Sequence, residues 1–181
     1  RSIGQPLELG DVYDSNRYTL HGMLRRAGMA FNDLGVVPDD REQIKNTFLR
    51  AADMADVVIT SAGASVGDAD YVKDVLDEIG EVNFWKIAMK PGRPLSFGRI
   101  ADSLFFGLPG NPVSVMVTFY QFVLPALRRL SGETSWQPLR LQARTLDRLK
   151  KQRGRTEFQR GVLSQDDTGA LVVSTTGEQG S

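Results

Sequence analysis

An apolar run, Asp56-Val57-Val58-Ile59-Thr60, leads directly into the small-residue stretch Ser61-Ala62-Gly63-Ala64-Ser65-Val66-Gly67-Asp68-Ala69-Asp70-Tyr71, after which a helical pattern begins. This succession confines the chain to folds in which a buried strand passes through a loop into a helix. Val57, Val58 and Ile59 read as that strand. Ala62, Gly63, Ala64, Ser65 and Gly67 are small enough for backbone N–H groups to approach a bound anion, for which a phosphate or an oxyanion is the natural guest. Asp68 and Asp70 stand at the loop's exit, where two acids beside a phosphate point to a bridging divalent cation or to a base that orients water. The competing reading is an ordinary glycine-rich turn in which Asp70 caps the next helix.

A second loop has the same character. Leu104, Phe105 and Phe106 form a strand-like run ending in Gly107-Leu108-Pro109-Gly110-Asn111-Pro112, and residues 113–130 read as a long apolar helix. Asn111 suits the cap and Pro112 the first turn, which leaves free N–H groups beside a glycine as another anion seat. Between the loops runs Phe84-Trp85-Lys86-Ile87-Ala88-Met89-Lys90-Pro91-Gly92-Arg93-Pro94. Strand alternation places Lys86, Ala88 and Lys90 on one face of a partly buried sheet, with Arg93 extending the cationic row into the turn. Cations so placed call for an anionic partner.

The rest of the chain alternates helix and strand. Asp14-Ser15-Asn16 offers caps for a helix to about residue 27, Gly28 breaks it, and a strand is predicted over 29–35. A helix over 38–55, a helix over 70–79 and strands at 82–89, 95–100 and 104–107 follow. The short Ala101-Asp102-Ser103 connection fits a hairpin, and hence one antiparallel strand in a mostly parallel sheet covered by helices on both faces. Ligands of such sheets bind beyond the strand C-termini, where both glycine loops fall. After Leu130-Ser131-Gly132 the pattern changes to polar/apolar alternation at 139–149, 157–163 and 171–175, an all-β unit left unfinished. The expected division is an α/β domain over 1–134 and a partial small β-barrel over 135–181.

Lys plus Arg and Asp plus Glu number 22 each, so anion affinity must come from local clusters and not from bulk charge. Neither nucleic acid nor a membrane is expected as a partner. The turn cluster Lys150, Lys151, Arg153 and Arg155 reads as solvated, and Lys150→Ala is expected to leave oxyanion binding unchanged. The chain has no cysteine, which excludes disulfides, thiolate metal sites and a thiol nucleophile. His21, the single histidine, reads as structural.

The stretches SAGASVGDADY, FWKIAMKPGRP and GLPGNPVSVMVTFYQF, together with VYDSNR near the start and FQRGVL and TTGEQGS near the end, resemble the molybdopterin molybdenumtransferase family, whose relatives include the E domain of gephyrin. The resemblance spans essentially the whole chain. Ala62 stands where the family usually has glycine, and Arg93 where it often has lysine; the arginine keeps the charge and adds bidentate donors. Family members carry earlier domains before this point and a complete β-barrel after it, so a piece of a longer protein is expected.

What the resemblance implies is exchange on a dithiolene pterin, with adenylylated molybdopterin and molybdate as substrates. Adenylylated pterin would lie across the loops, a magnesium-type cation would bridge its phosphates, and molybdate would sit among Ser65, Lys90, Arg93, Arg160 and Ser181. Hydrolysis of the phosphoanhydride, releasing AMP, would be coupled to molybdate insertion. Asp70, Asp14 and Lys86 are the catalytic candidates, although Asp14 also fits a plain helix cap and Arg160 a plain strand arginine. Gly63, Gly67, Gly110, Asn111 and Ser114 complete the substrate-binding set, and Asp68 and Asp70 are the metal candidates. The family further implies a cytoplasmic homodimer when full length. Molybdopterin adenylyltransferases and competence-damage-type nucleotide hydrolases share the α/β domain, and gephyrin-like scaffolds use the architecture to bind peptides; the appended β segment weighs against the first two.

Overall fold

The structure, a computed structural model, describes residues 1–61, 64, 71–151, 153–177 and 179. Its centre is a four-stranded sheet formed by β1 (Val57–Thr60), β2 (Gly80–Lys86), β4 (Pro94–Ile100) and β5 (Ser103–Gly107), in the order β1-β5-β4-β2. A two-residue strand between them, β3 (Met89–Lys90), belongs elsewhere. β1 and β5 run parallel, whereas β4 is antiparallel to both of its neighbours. Three strands therefore share one direction and β4 opposes them. The reversal comes from the predicted hairpin, a tight Ala101-Asp102 connection with Ile100 paired to Ser103 and Ala101 at φ 50°.

Consecutive phenylalanines show why the sheet is covered on both faces. Phe105 and Phe106 point to opposite sides because strand side chains alternate. Phe105 packs with Ile44, Phe48 and Ala51 of α2 (Arg41–Met54) and Val75 and Leu76 of α3 (Tyr71–Ile79). Phe106 packs with Leu20 and Met23 of α1 (Ser15–Arg26) and with Val115, Phe119, Val123 and Leu127 of the helix that follows β5. Phe105 is completely buried. Burying such a side chain contributes about 1.5–3 kcal/mol, so each face holds its own helical layer.

The last helix departs from the expected uniform one. It is α4 (Pro112–Thr118), a π-helical turn (Phe119–Val123) and α5 (Leu124–Leu130) in succession. Pro125 explains the interruption, since its ring clashes with the carbonyl four residues earlier and it has no N–H to donate. The Leu124 N–H bonds back to the Phe119 carbonyl, which widens the turn.

Residues 29–35 form no strand. The sheet ends at β1, so this stretch has no described neighbour to supply a ladder, and alternation alone does not make one. Its apolar members pack instead: Met29 on the α1/α4 side of the sheet and Leu34 on the α2 side. Arg17 holds Asp33 through two contacts of 2.7 and 2.8 Å.

Beyond Leu130 lies a smaller sheet of β6 (Arg144–Thr145), β8 (Gly161–Gln165) and β9 (Leu171–Thr175), ordered β6-β9-β8. Of the expected strand over 139–149 only β6 is realised. The expected strand over 157–163 is divided between β7 (Thr156–Glu157), which leaves this sheet to pair with β3, and β8. Among the described residues no helix is long and apolar enough to cross a membrane.

Candidate functional site

Strand register brings the ends of β1, β2 and β5 to one edge of the main sheet. Thr60 is level with Gly107, Gly107 with Ser96, and Lys86 with Pro94, so the loops after β1, β2 and β5 leave from the same edge. The Leu108 N–H donates to the Thr60 carbonyl at 2.8 Å and holds the exits of β1 and β5 together.

At the end of β5, Asn111 caps α4. Its Oδ1 accepts from the N–H groups of Val113 and Ser114 at 3.0 and 3.2 Å, and Ser114 is buried. The Gly110 carbonyl accepts a 2.7 Å hydrogen bond from Asn16 Nδ2, which draws the start of α1 onto this loop. Asn16 is buried and its Oδ1 has no partner among the described residues, whereas sequence reasoning saw in it only a capping candidate. Its place in VYDSNR was the available signal. Asp14 caps α1, its Oδ1 accepting from the Arg17 N–H at 3.1 Å. Hydrogen bonding to Arg17 holds the Asp33 carboxyl below its usual range and raises the Arg17 guanidinium above its own.

The cationic segment is not one strand. β2 ends at Lys86, where its partner β4 begins at Pro94, and the chain between them closes on itself: the Ile87 N–H donates to the Arg93 carbonyl at 2.8 Å. Lys86 and Lys90 therefore do not share a strand face. β2 is a sheet edge, and Trp85, expected to bury that row, is 55% exposed. Gly92, at φ +89°, lets the loop press on α4; a Cβ there would lie 2.7 Å from Thr118 Cγ2 and 3.6 Å from the Ser114 carbonyl oxygen. Lys90, Arg93 and Ser114 are thus tied to one another through Gly92. The Lys90–Pro91 peptide is cis.

Lys90 also meets the second unit. β3 pairs in parallel with β7, Met89 opposite Thr156 and Lys90 opposite Glu157, and the Phe158 N–H donates to the Lys90 carbonyl at 2.8 Å. Above this seam is a cavity of about 320 Å³ whose lining includes Lys90, Pro91, Glu157, Gln159 and Gln179. That size is at the small end of the ~300–1,000 Å³ typical of ligand pockets. Arg160 follows directly. Its backbone N–H donates to Gln179 Oε1 at 2.7 Å and its carbonyl accepts from Gln179 Nε2 at 3.0 Å, which clips the start of β8 to the turn after β9. Gln179, within TTGEQGS, is a positioning residue that sequence reasoning overlooked. The cavity is also lined by Arg148 and Lys150, although Lys150 reads from sequence as a turn lysine with no ligand.

Asp68, Asp70, Ser65, Gly63, Gly67 and Ser181 lie outside the described residues. Both carboxylates expected to hold a divalent cation are among them. No group of three or more His, Cys, Asp or Glu side chains that could hold a metal occurs among the described residues.

Residues 2–129 match the family described as probable molybdopterin binding domain, and residues 142–181 match that described as the MoeA C-terminal region, domain IV. The chain is 46% identical over 180 residues to the molybdopterin molybdenumtransferase of Haemophilus influenzae, covering 99% of this chain and 45% of that protein. It is 35% identical to gephyrin of Dictyostelium discoideum, covering all of this chain and 30% of that protein. A crystal structure of the molybdopterin biosynthesis MoeA protein of Pyrococcus horikosii superposes with a TM-score of 0.78 at 29% identity, over 98% of this chain and 42% of that one. The chain thus spans less than half the length of these relatives.

Proposed function

Because this chain belongs to the molybdopterin-binding-domain family, in the arrangement found in molybdopterin molybdenumtransferases, we propose that it is the part of such an enzyme that receives molybdate and adenylylated molybdopterin. The reaction is insertion of molybdate into the pterin dithiolene with release of AMP. The proposed division of labour is an α/β domain over 1–134 that binds the pterin and a β unit over 135–181 that closes over it. The observation that carries the reading is the seam at Lys90, which brings a cation from the first unit into a cavity completed by the second. An enzyme working with the α/β domain alone would have no use for it, and this favours the transferase over the adenylyltransferase and the nucleotide hydrolase.

In this reading Lys90, Arg93 and Arg160 hold the oxyanion by charge-assisted hydrogen bonds, each worth about 1.5–3 kcal/mol, and lower the cost of bringing a dianion next to a phosphate. Ser65 and Ser181 add hydroxyl donors. The N–H groups of the loops containing Gly63, Gly67 and Gly110, with Asn111 and Ser114 at the start of α4, face the pterin's phosphates. Lys86 neutralises charge on the leaving phosphate, Asp14 orients the substrate from α1, and Asp70 orients the attacking water. Asp68 and Asp70 are the proposed ligands of a magnesium-type cation, which would supply charge neutralisation at the phosphoanhydride. The full-length protein is proposed to act as a cytoplasmic homodimer.

The test is molybdate-dependent AMP release from adenylylated molybdopterin by the full-length protein, with Asp70→Ala beside the wild type. The reading requires release that depends on molybdate and is abolished by the substitution. Release at the same rate with and without molybdate would sink it, and loss of only thermal stability in Asp70→Ala would reduce Asp70 to a helix cap.

A further inference from the structure

The sequence leaves Lys150 in a solvated turn and Arg148 in the alternating run at 139–149, but the fold brings both to the cavity at Lys90. How they get there is visible in the hydrogen bonds around Asp147. Its Oδ2 accepts from the backbone N–H of Thr175 at 2.6 Å and from Thr175 Oγ1 at 3.0 Å. On the same stretch the Leu146 N–H donates to the Val173 carbonyl at 2.9 Å, and Thr145 Oγ1 donates to the Asp147 carbonyl at 2.9 Å. The residues just before Arg148 are therefore pinned to β9 by three hydrogen bonds, and Arg148 and Lys150 leave this anchor toward the cavity.

Once there, the cations outnumber the carboxylates among the described residues of the lining. Lys90, Arg148 and Lys150 face one carboxylate of the lining, Glu157, and none of the three is in an ion pair among the described residues. Lys151, from the same basic run, behaves differently: its Nζ donates to the Arg155 carbonyl within its own turn, and it does not line the cavity. Three like charges converging on one concavity repel one another unless an anion joins them, and the field there is focused by the surrounding protein. An arginine and two lysines together suit a doubly charged tetrahedral oxyanion, the guanidinium supplying a fork of donors and the ammonium groups point charges.

We propose that Arg148 and Lys150 are oxyanion-binding residues, forming with Lys90 a three-cation seat for a tetrahedral dianion, either free or as the terminal phosphate of the pterin once AMP has left. The assignment rests on the proposed reading of Lys90 as a molybdate contact, and it makes the second unit a supplier of binding groups as well as a cover.

Calorimetric titration with sodium molybdate, and separately with phenyl phosphate, would test it on the wild type, Arg148→Gln, Lys150→Gln, Lys90→Ala and Lys151→Gln. Arg148→Gln and Lys150→Gln are expected to weaken at least one of the two ligands fivefold or more, and Lys151→Gln to change neither. Loss confined to phenyl phosphate would assign the seat to the pterin's phosphate left after AMP release, and loss of molybdate to the free oxyanion. If Lys90→Ala weakens binding while Arg148→Gln and Lys150→Gln do not, the inference is wrong and the reading of Lys90 stands. Unchanged affinity in all variants, or no binding by the wild type, would remove that reading as well. An equal loss in Lys151→Gln would reduce the effect to general surface charge and overturn the assignment.

Discussion

Asn16 Nδ2 donates a 2.7 Å hydrogen bond to the carbonyl of Gly110, joining the first turn of α1 to the loop that opens α4. The two residues are 94 positions apart, and each belongs to a stretch that on its own looks like an isolated helix start. Their bond makes a single rim out of two loops at the edge of the sheet where Thr60 and Gly107 end.

Removing this tie should be measurable. Asn16→Ala leaves the carbonyl of the exposed Gly110 without its side-chain donor, and a hydrogen bond of this kind contributes about 0.5–1.5 kcal/mol. Urea denaturation should show that loss with an unchanged m value. A midpoint equal to that of the wild type would mean that water replaces the amide at no cost.

Gly92→Ala should destabilise the protein through a different mechanism. The glycine is at φ +89°, and a methyl there would meet Thr118 Cγ2 at 2.7 Å. Overpacking of this kind costs about 1–3 kcal/mol, to which the left-handed backbone adds. Because the loop carries Lys90 and Arg93, molybdate affinity is expected to fall together with the melting temperature. Full affinity in a destabilised variant would detach the loop's packing from its binding role.

Asn111 allows capping to be separated from ligand binding. Asn111→Ala removes the acceptor for the Val113 and Ser114 N–H groups and should cost about 1 kcal/mol. Asn111→Asp keeps an acceptor at the cap and favours the helix N-terminus, yet places a negative charge in the proposed anion seat. The aspartate variant should therefore melt like the wild type and bind phenyl phosphate more weakly. Equal binding by both would leave Asn111 a cap and nothing more.

The hairpin between β8 and β9 should soften in acid. Asp166 is pulled from the usual 3.8 to about 2, chiefly by the Thr168 hydroxyl, then by the N–H groups of Ala170 and Thr168, with Arg144 adding to it. Its folded value is the lower one, so ionised Asp166 stabilises the hairpin above about pH 4, and the contribution fades as pH falls through about 2. Thermal melts of wild type and Asp166→Asn should differ at pH 5 and converge toward pH 2. A difference independent of pH would mean that the carboxyl titrates normally.

Several features were legible in the order of residues because each is decided within a few positions. The strand at Val57–Thr60, the hairpin around Ala101-Asp102 and the cap at Asn111 with Pro112 behind it depend on side-chain alternation, turn chemistry and backbone N–H groups that are local by nature. The family resemblance belongs here too, since it rests on short stretches read in sequence. Expectations that required a partner from elsewhere did not survive. The alternation at 29–35 was satisfied by Met29 and Leu34 packing against different cores and not by a ladder. The cationic row broke after Lys86 because β4, the neighbour that would have continued it, begins at Pro94.

The sequence alone thus determined which residue types form strands, helices and glycine loops, and that cations occur between the loops. Only the tertiary structure decided which cations meet. Lys90, Arg148 and Lys150 line one cavity because the Phe158 N–H donates to the Lys90 carbonyl and Asp147 holds Thr175, contacts between residues 68 and 28 positions apart that no local pattern encodes. Charge at a point in space is a sum over everything folded around it, and that sum does not exist until the chain has closed.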